Sequence, residues 1–363
     1  MVAAGPIPLP ERERTARWRL IRSERIGPTT VLELLRRHGS AEAALSALAG
    51  HPRPPEIAPA AAVAEEARRL ASLGAAALVW GDPDYPAALA AIADPPIVLA
   101  TRGRRELLAR PAVAVVGARN ASGAGRRFAE TLARELGEAG FCVVSGMARG
   151  IDAAAQQGAL AAGTIGVVAT GIDRAYPDEN RALHEAVGGD GLLLAEAEPG
   201  TGPLARNFPR RNRIVAGLAL GIVVVEAAER SGSLITARLA AEYGREVFAV
   251  PGSPLDPRCK GTNGLIRSGA TLVESAADVV EALRPQTAPP APRPFVPSAQ
   301  PEGDEEPGGR ADRILERLGP TPLPVDELVR QCQLSQAAVA AILLELELQG
   351  RIERHPGQKV SLR

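Results

Sequence analysis

The stretch NFPRRNRIVAGLALGIVVVEA, residues 207–227, sets Arg210, Arg211 and Arg213 directly before an apolar run that reads as a buried strand, with Arg206 one residue outside it. A guanidinium keeps its proton in a protein and is costly to bury unpaired. Such a cluster is therefore expected at an internal acid, a partner subunit or an anionic ligand. Small residues with arginine recur after other strand-like runs: GARNAS at 117–122, SGMARG at 145–150, TGIDRAYPDENR at 170–181 and ERSGSLITA at 229–237. Backbone N–H groups in such turns and at helix starts receive anions. The candidate ligand set is thus Gly117, Arg119, Ser122, Ser145, Gly146, Arg149, Arg181, Arg206, Arg210, Arg211, Asn212, Ser231, Gly232 and Ser233. It suits a groove for several phosphates rather than one cofactor. Phe208, inside the cluster, is placed to stack on an exposed base.

Internal roles stand beside these. Arg149 has Asp152 as a candidate partner, Arg211 and Arg213 have Glu226 or Asp152, and an isolated Phe such as Phe208 commonly fills core space. Asp152, Asp173 and Glu226 are assigned structural roles, two of them lying near helix starts where Asp caps. The familiar catalytic and cofactor patterns fail on inspection. The loose G-x-G at Gly123 and Gly125 meets Phe128 where a dinucleotide fingerprint has its third glycine, and the acid expected after the next strand is replaced by SGMARG. Neither lysine sits in a Gly-Lys-Ser/Thr P-loop, and there is no HExxH or G-x-S-x-G. His184 is expected on a helix surface. No catalytic residue, metal ligand or cofactor is assigned.

The elements that must carry these residues are legible as alternation. VAVVG, FCVVSG, IGVVATG, LLLAE, GIVVVEA and EVFAVPG are apolar on both faces and separated by Ala-rich helical stretches, the pattern of a parallel α/β sheet covered on both sides. In a doubly wound sheet the loops after these strands share the carboxyl edge and surround one crevice. Residues 1–72 read as a helical domain, with a helix over Arg12–Arg22 and a second ended by Gly39. Residues 73–283 form the Rossmann-like core, 284–310 a Pro/Gly-rich tether with a short acidic run, and 311–363 three helices followed by a two-stranded wing.

Composition narrows the setting. The 363 residues carry 42 basic and 42 acidic side chains, so binding a polyanion must rely on a local patch. Cys142, Cys259 and Cys332 lie far apart without a CxxC pair, which fits neither a disulfide framework nor a zinc site and suggests a reducing compartment. The N-terminus lacks a signal-type apolar core, and the run Ile214–Val225 is too short to span a bilayer. The expectation is a soluble cytoplasmic protein with no membrane partner.

VVGARNAS, SGMARGID, ATGIDRAYPDEN, FPRRNRIVAGL, VVEAAERSGSLITA, FAVPG and GTNGLIRSGA, in that order over residues 75–280, closely resemble the DNA-processing protein A (DprA or Smf) family. The flanks look like that family's N-terminal helical domain, of the SAM or helix-hairpin-helix kind, and its C-terminal winged-helix-like domain; RIGPTT is similar to a helix-hairpin-helix. The resemblance implies a non-catalytic single-stranded-DNA-binding protein. Such a protein protects incoming DNA, forms a homodimer through its core and loads the RecA recombinase in natural transformation. It also implies phosphate-binding roles for Arg119 and Arg181 and matches Arg206 and Phe208 to the basic and aromatic positions before RNR. The presumed recognition helix SQAAVAAILLELELQG, 335–350, carries glutamates and no arginine, which favours protein contact over duplex DNA. A rival with a similar core, a nucleoside-monophosphate phosphoribohydrolase, requires PGGxGTxxE, and SGSLITA lacks both its double glycine and its acid.

Overall fold

The computed structural model describes residues 8–50, 55–287, 307–332, 339, 342, 343, 346, 347, 350–355 and 359–362. By contacts the chain divides into two units, 1–289 and 290–363. The first opens with helices α1 (Glu11–Arg22), α2 (Pro28–His38), α3 (Ala41–Ala49) and α4 (Ala60–Ser72). Gly39 ends α2 at φ 79°, a backbone state that costs glycine nothing, with its N–H on Leu35 O at 2.8 Å. Ser40 caps α3 by accepting from Ala43 N at 3.1 Å.

The sheet follows: β1 (Ala75–Val79), α5 (Ala87–Ala90), β2 (Val98–Gly103), β3 (Ala112–Val116), α6 (Gly123–Glu138), β4 (Cys142–Ser145), α7 (Ile151–Ala159), β5 (Thr164–Val168), α8 (Arg181–Asp190) and β6 (Leu192–Ala195). It continues with α9 (Asn207–Leu218), β7 (Gly221–Val224), α10 (Gly232–Glu242), β8 (Glu246–Ala249), α11 (Lys260–Arg267), β9 (Thr271–Leu272) and α12 (Ala276–Thr287). The strand order is β1-β2-β6-β5-β4-β3-β7-β8-β9. The six apolar runs are β3 to β8, all parallel to their neighbours in this series. β1 and β2 extend the sheet in antiparallel sense, and neither was recognised, because Ala-rich β1 carries no strand signal of its own.

Helices cover both faces. Ile214 and Val215 of α9 and Ala237 and Ala240 of α10 pack with Ala114, Val116, Ile222 and Val224 on one side. Leu132 and Leu136 of α6, Ala155 of α7 and Val279 of α12 pack with Val113, Val115 and Phe248 on the other. The first four helices are not a separate body: Trp18, Leu20, Val31 and Leu70 share a core with Val79, Val98 and Leu193 of the sheet. Arg14 pairs with Asp82, Arg17 donates to Trp80 O at 2.6 Å and Arg69 to Pro199 O at 2.8 Å.

One element corrects the sequence reading. Ile214–Val225 is not a single strand but the end of α9 and all of β7, parted at Ala219 and Leu220. Both halves are buried, so the apolar run is continuous although the backbone changes state, and periodicity cannot separate them. The expected tether is also shortened, since α12 runs to Thr287 and helix α13 (Pro307–Arg317) begins inside its far end. Residues 288–306 lie outside the described residues.

The second unit adds to α13 the elements β10 (Leu323–Pro324), α14 (Val325–Cys332), β11 (Ile352–His355) and β12 (Lys359–Leu362). Its sheet has order β10-β12-β11, antiparallel throughout, so the expected wing gains a third short strand. Ile314, Leu318, Leu328, Leu343 and Val360 form its own core. Most of the presumed recognition helix, 335–350, lies outside the described residues. Among the described residues no helix is long and apolar enough to cross a membrane. All three cysteines are free and buried, and burial pushes the Cys142 thiol up to about 12.

Candidate nucleic-acid interface

The chain runs from β3 outward through β4, β5 and β6, then returns to β7 on the other side of β3. Strand order therefore reverses between β3 and β7, and an open α/β sheet gapes at the carboxyl end of such a point. A cleft of about 580 Å³ lies there. Its walls are the loops after β3, β4 and β7 with the first turns of α9 and α10.

The α6 N-terminus, where a dinucleotide phosphate would sit, is already occupied. Glu226, at the end of β7, accepts from Ser122 N at 2.9 Å and from Ser122 Oγ at 2.5 Å, while the same hydroxyl accepts from Gly125 N at 2.8 Å. The protein's own carboxylate takes the dipole site that a ligand phosphate would use. This gives a physical reason for the missing dinucleotide fingerprint. It also corrects Ser122, whose donors are held internally, and Glu226, which bonds Ser122 rather than Arg211 or Arg213.

Arg211 lies behind the cleft, 7% exposed, donating Nη1–H to Val167 O at 2.9 Å, and its buried Nε has no partner. Its guanidinium lies against Gly146, where any side chain would collide with it. Burial pulls its pKa down; Asp152 opposes that and Arg119 adds to it. Asp152 is buried too and its pKa is raised by desolvation, against the pull of Arg211 and of backbone N–H groups at Ala148, Gly117 and Gly146. The loop between them is strained, Met147 standing at φ 58°. Asn180 Nδ2 steadies it by donating to Met147 O at 2.9 Å.

At the mouth, Arg119 is exposed and its guanidinium carbon sits 5.5 Å from the Phe208 ring centroid, a cation–π contact. Tyr176 packs on the same ring, centroids 5.6 Å apart and planes at 60°. Of the sequence-derived set, Gly117, Arg119, Gly146, Phe208, Arg211, Asn212, Ser231, Gly232 and Ser233 line the cleft. Arg149 lines an adjoining recess, and Arg210 a third beside Glu196 and Asn207.

Others are not brought there. Ser145 is fully buried, its hydroxyl donating to Val115 O at 2.6 Å. Arg181 is exposed on α8 and paired with Asp178 at 3.5 Å; Arg206 is exposed at the start of α9, and neither lines the cleft. Arg213 is internal, on Glu196 at 2.5 Å and Asp94 at 3.3 Å, rather than on Glu226 or Asp152. His184 is 2% exposed and donates Nε2–H to Ile172 O at 2.9 Å, contrary to a surface placement. The sequence reading passed over Arg230, Arg258 and Tyr176, which line the cleft or its recess. Arg230 and Tyr176 stood inside quoted segments, and an aromatic in an otherwise polar loop was the available signal.

Residues 76–284 match the family model of DNA recombination-mediator protein A, residues 11–68 that of the DprA-like N-terminal HHH domain, and residues 296–358 that of the DprA winged helix domain. The chain belongs to the DprA family. A DprA relative, the DNA processing protein DprA of Streptococcus pneumoniae, is 48% identical over 201 residues, 55% of this chain and 71% of that one. Its solved structure superposes on 76% of this chain and 98% of its own with a TM-score of 0.64 at 34% identity. A solved DprA from Helicobacter pylori, described for its single-stranded DNA binding mode, matches 58% of this chain and 96% of its own with a TM-score of 0.54 at 32% identity. The DprA architecture of helical HHH domain, Rossmann-like core and winged helix is thus that of this chain.

Proposed function

We propose that this chain binds single-stranded DNA along the carboxyl edge of its sheet, as a binding protein and not an enzyme. The observation that carries the reading is the cleft at the β3–β7 reversal. Its mouth presents the exposed cation Arg119 beside aromatic rings, its floor carries the fixed charge of Arg211, and the N-terminus of α10 opens into it. Phosphates take the cations and free backbone N–H groups; bases take the aromatic side. A single-strand-binding relative with the same core supports the choice of strand. Family membership further supports protection of incoming DNA, delivery of the bound strand to RecA in natural transformation, cytoplasmic location and homodimerisation, all of which belong to this proposal.

Titrating labelled single-stranded DNA, duplex DNA and nucleoside monophosphates at one fixed salt concentration, with an assay for released base, tests it. Tightest binding to the single strand with no base release is expected. Preference for monophosphates, or release of base, would replace the reading by a nucleotide hydrolase.

A further inference from the structure

Strands β5 and β6 are neighbours, and the loops leaving their carboxyl ends meet backbone to backbone at residues that do not line the cleft. Gly171 N–H donates to Thr201 O at 2.9 Å and Gly200 N–H to Asp173 Oδ1 at 2.7 Å. The approach is so close that a Cβ at Gly171 would meet Glu198 O at 2.6 Å and Gly200 N at 2.8 Å, while Gly200 itself stands at φ 86°. On the outer side α4 closes on the same turn, Arg69 Nη2–H donating to Pro199 O at 2.8 Å. Arg22, at the end of α1, is bonded to the buried Glu66 at 2.7 Å and lies 3.5 Å from Glu198. Exposed ion pairs contribute little, so the junction rests chiefly on the half-buried Asp173 carboxylate, a charged acceptor for a backbone N–H, with the exposed Arg69 as its lesser part. Beyond it the first loop runs on to Asn180, which holds Met147 O, and the second to Arg206 and the start of α9.

We propose that Asp173 is a positioning residue, and that the junction it forms with Gly171, Gly200 and Arg69 ties the carboxyl-edge loops to the N-terminal helices; this rests on the single-stranded-DNA reading above. The helical domain then serves the strand as a brace and not as a second contact on its backbone. Its helices are suited to that role because they share a core with β1, β2 and β6, so their own placement is fixed by the sheet. Coupling of this kind is reciprocal: loops whose order favours the strand are themselves ordered by it, and the junction opens less often when the strand is bound.

The test uses the full chain and an oligothymidylate across a salt series, with amide hydrogen exchange measured with and without the strand. Asp173→Ala weakens binding about 2- to 30-fold, the range for residues that act on a site through others, and keeps the salt slope because no phosphate contact is lost. Asp173→Asn, which retains an acceptor for Gly200 N–H, recovers most of the affinity. Arg69→Ala weakens binding less, and adding it to Asp173→Ala costs little more, as expected of two parts of one junction. In wild type the strand slows exchange at Gly171 and Gly200, a response that a merely structural contact would not give. Arg25→Glu, which reverses an exposed charge in the hairpin before α2, leaves affinity and slope as in wild type. Thermal melts report folding, and if Asp173→Ala unfolds, Arg69→Ala and the exchange measurement decide. A folded Asp173→Ala with wild-type affinity, or exchange at the two glycines indifferent to the strand, overturns the positioning role. A weaker affinity and flatter slope in Arg25→Glu would make the helical domain a direct contact and end its role as brace. Wild-type protein without affinity for the oligothymidylate would sink the single-strand reading itself.

Discussion

A methyl group at residue 146 would land on the Arg211 guanidinium, which gives up its bond to Val167 O if it moves aside. Gly146→Ala is therefore expected to lose about 1–3 kcal/mol of stability, the usual range for overpacking. Chemical denaturation measures it, and a variant as stable as wild type would mean that Arg211 is not clamped. Arg119 calls for the opposite result. It is exposed and supports no core, so Arg119→Ala should keep the wild-type melt while flattening the dependence of log affinity on log salt by about 0.7, one single-strand phosphate contact. An unchanged slope would remove Arg119 from the strand's path.

The helices after the strands present these residues only because their own ends are fixed internally. Ser122 both caps α6 and holds Glu226, so Ser122→Ala removes a cap and one of the carboxylate's donors together. A loss of about 1–2 kcal/mol is expected, at the upper end for caps, read as a lowered denaturant midpoint with unchanged slope. On α8, burial lowers the pKa of His184 from its ordinary 6.5. The unfolded chain then binds the proton first, so stability is full above about 6.5 and declines as pH falls towards the lowered folded value. His184→Gln should show a smaller fall in melting temperature between neutral and mildly acidic pH than wild type. Equal falls would place the acid sensitivity elsewhere.

Taken whole, the chain puts every residue that lines the cleft between Val116 and Arg258, inside the first unit. A chain ended after Pro289 should accordingly keep the single-strand affinity of the full protein, measured by the same titration; a large loss would give the second unit a share in binding. The same truncated chain tests the proposed homodimer. Sedimentation at micromolar concentration is expected to show a dimer, and a strict monomer would contradict assembly through the core.

From the sequence, six parallel strands, their covering helices and the arginine-bearing loops at one edge were legible, because strand periodicity and glycine-rich turns are local properties written in consecutive residues. So were the loops that supply the cleft lining, since loops after successive parallel strands must share an edge. The fate of each cation was not legible. Arg210, Arg211 and Arg213 are near neighbours in sequence on one helix, yet one is exposed beside Glu196, one lies under Gly146 and one is sealed on Glu196 and Asp94. Helical rotation between adjacent positions, together with strands distant in the chain, set those environments. Likewise Glu226 reaches Ser122 across 104 positions, and Tyr176 meets Phe208 only because the loop after β5 folds over the start of α9. Charge and aromaticity are written in the residue; whether they face solvent, a carboxylate or a strand is decided by which elements the sheet order makes neighbours.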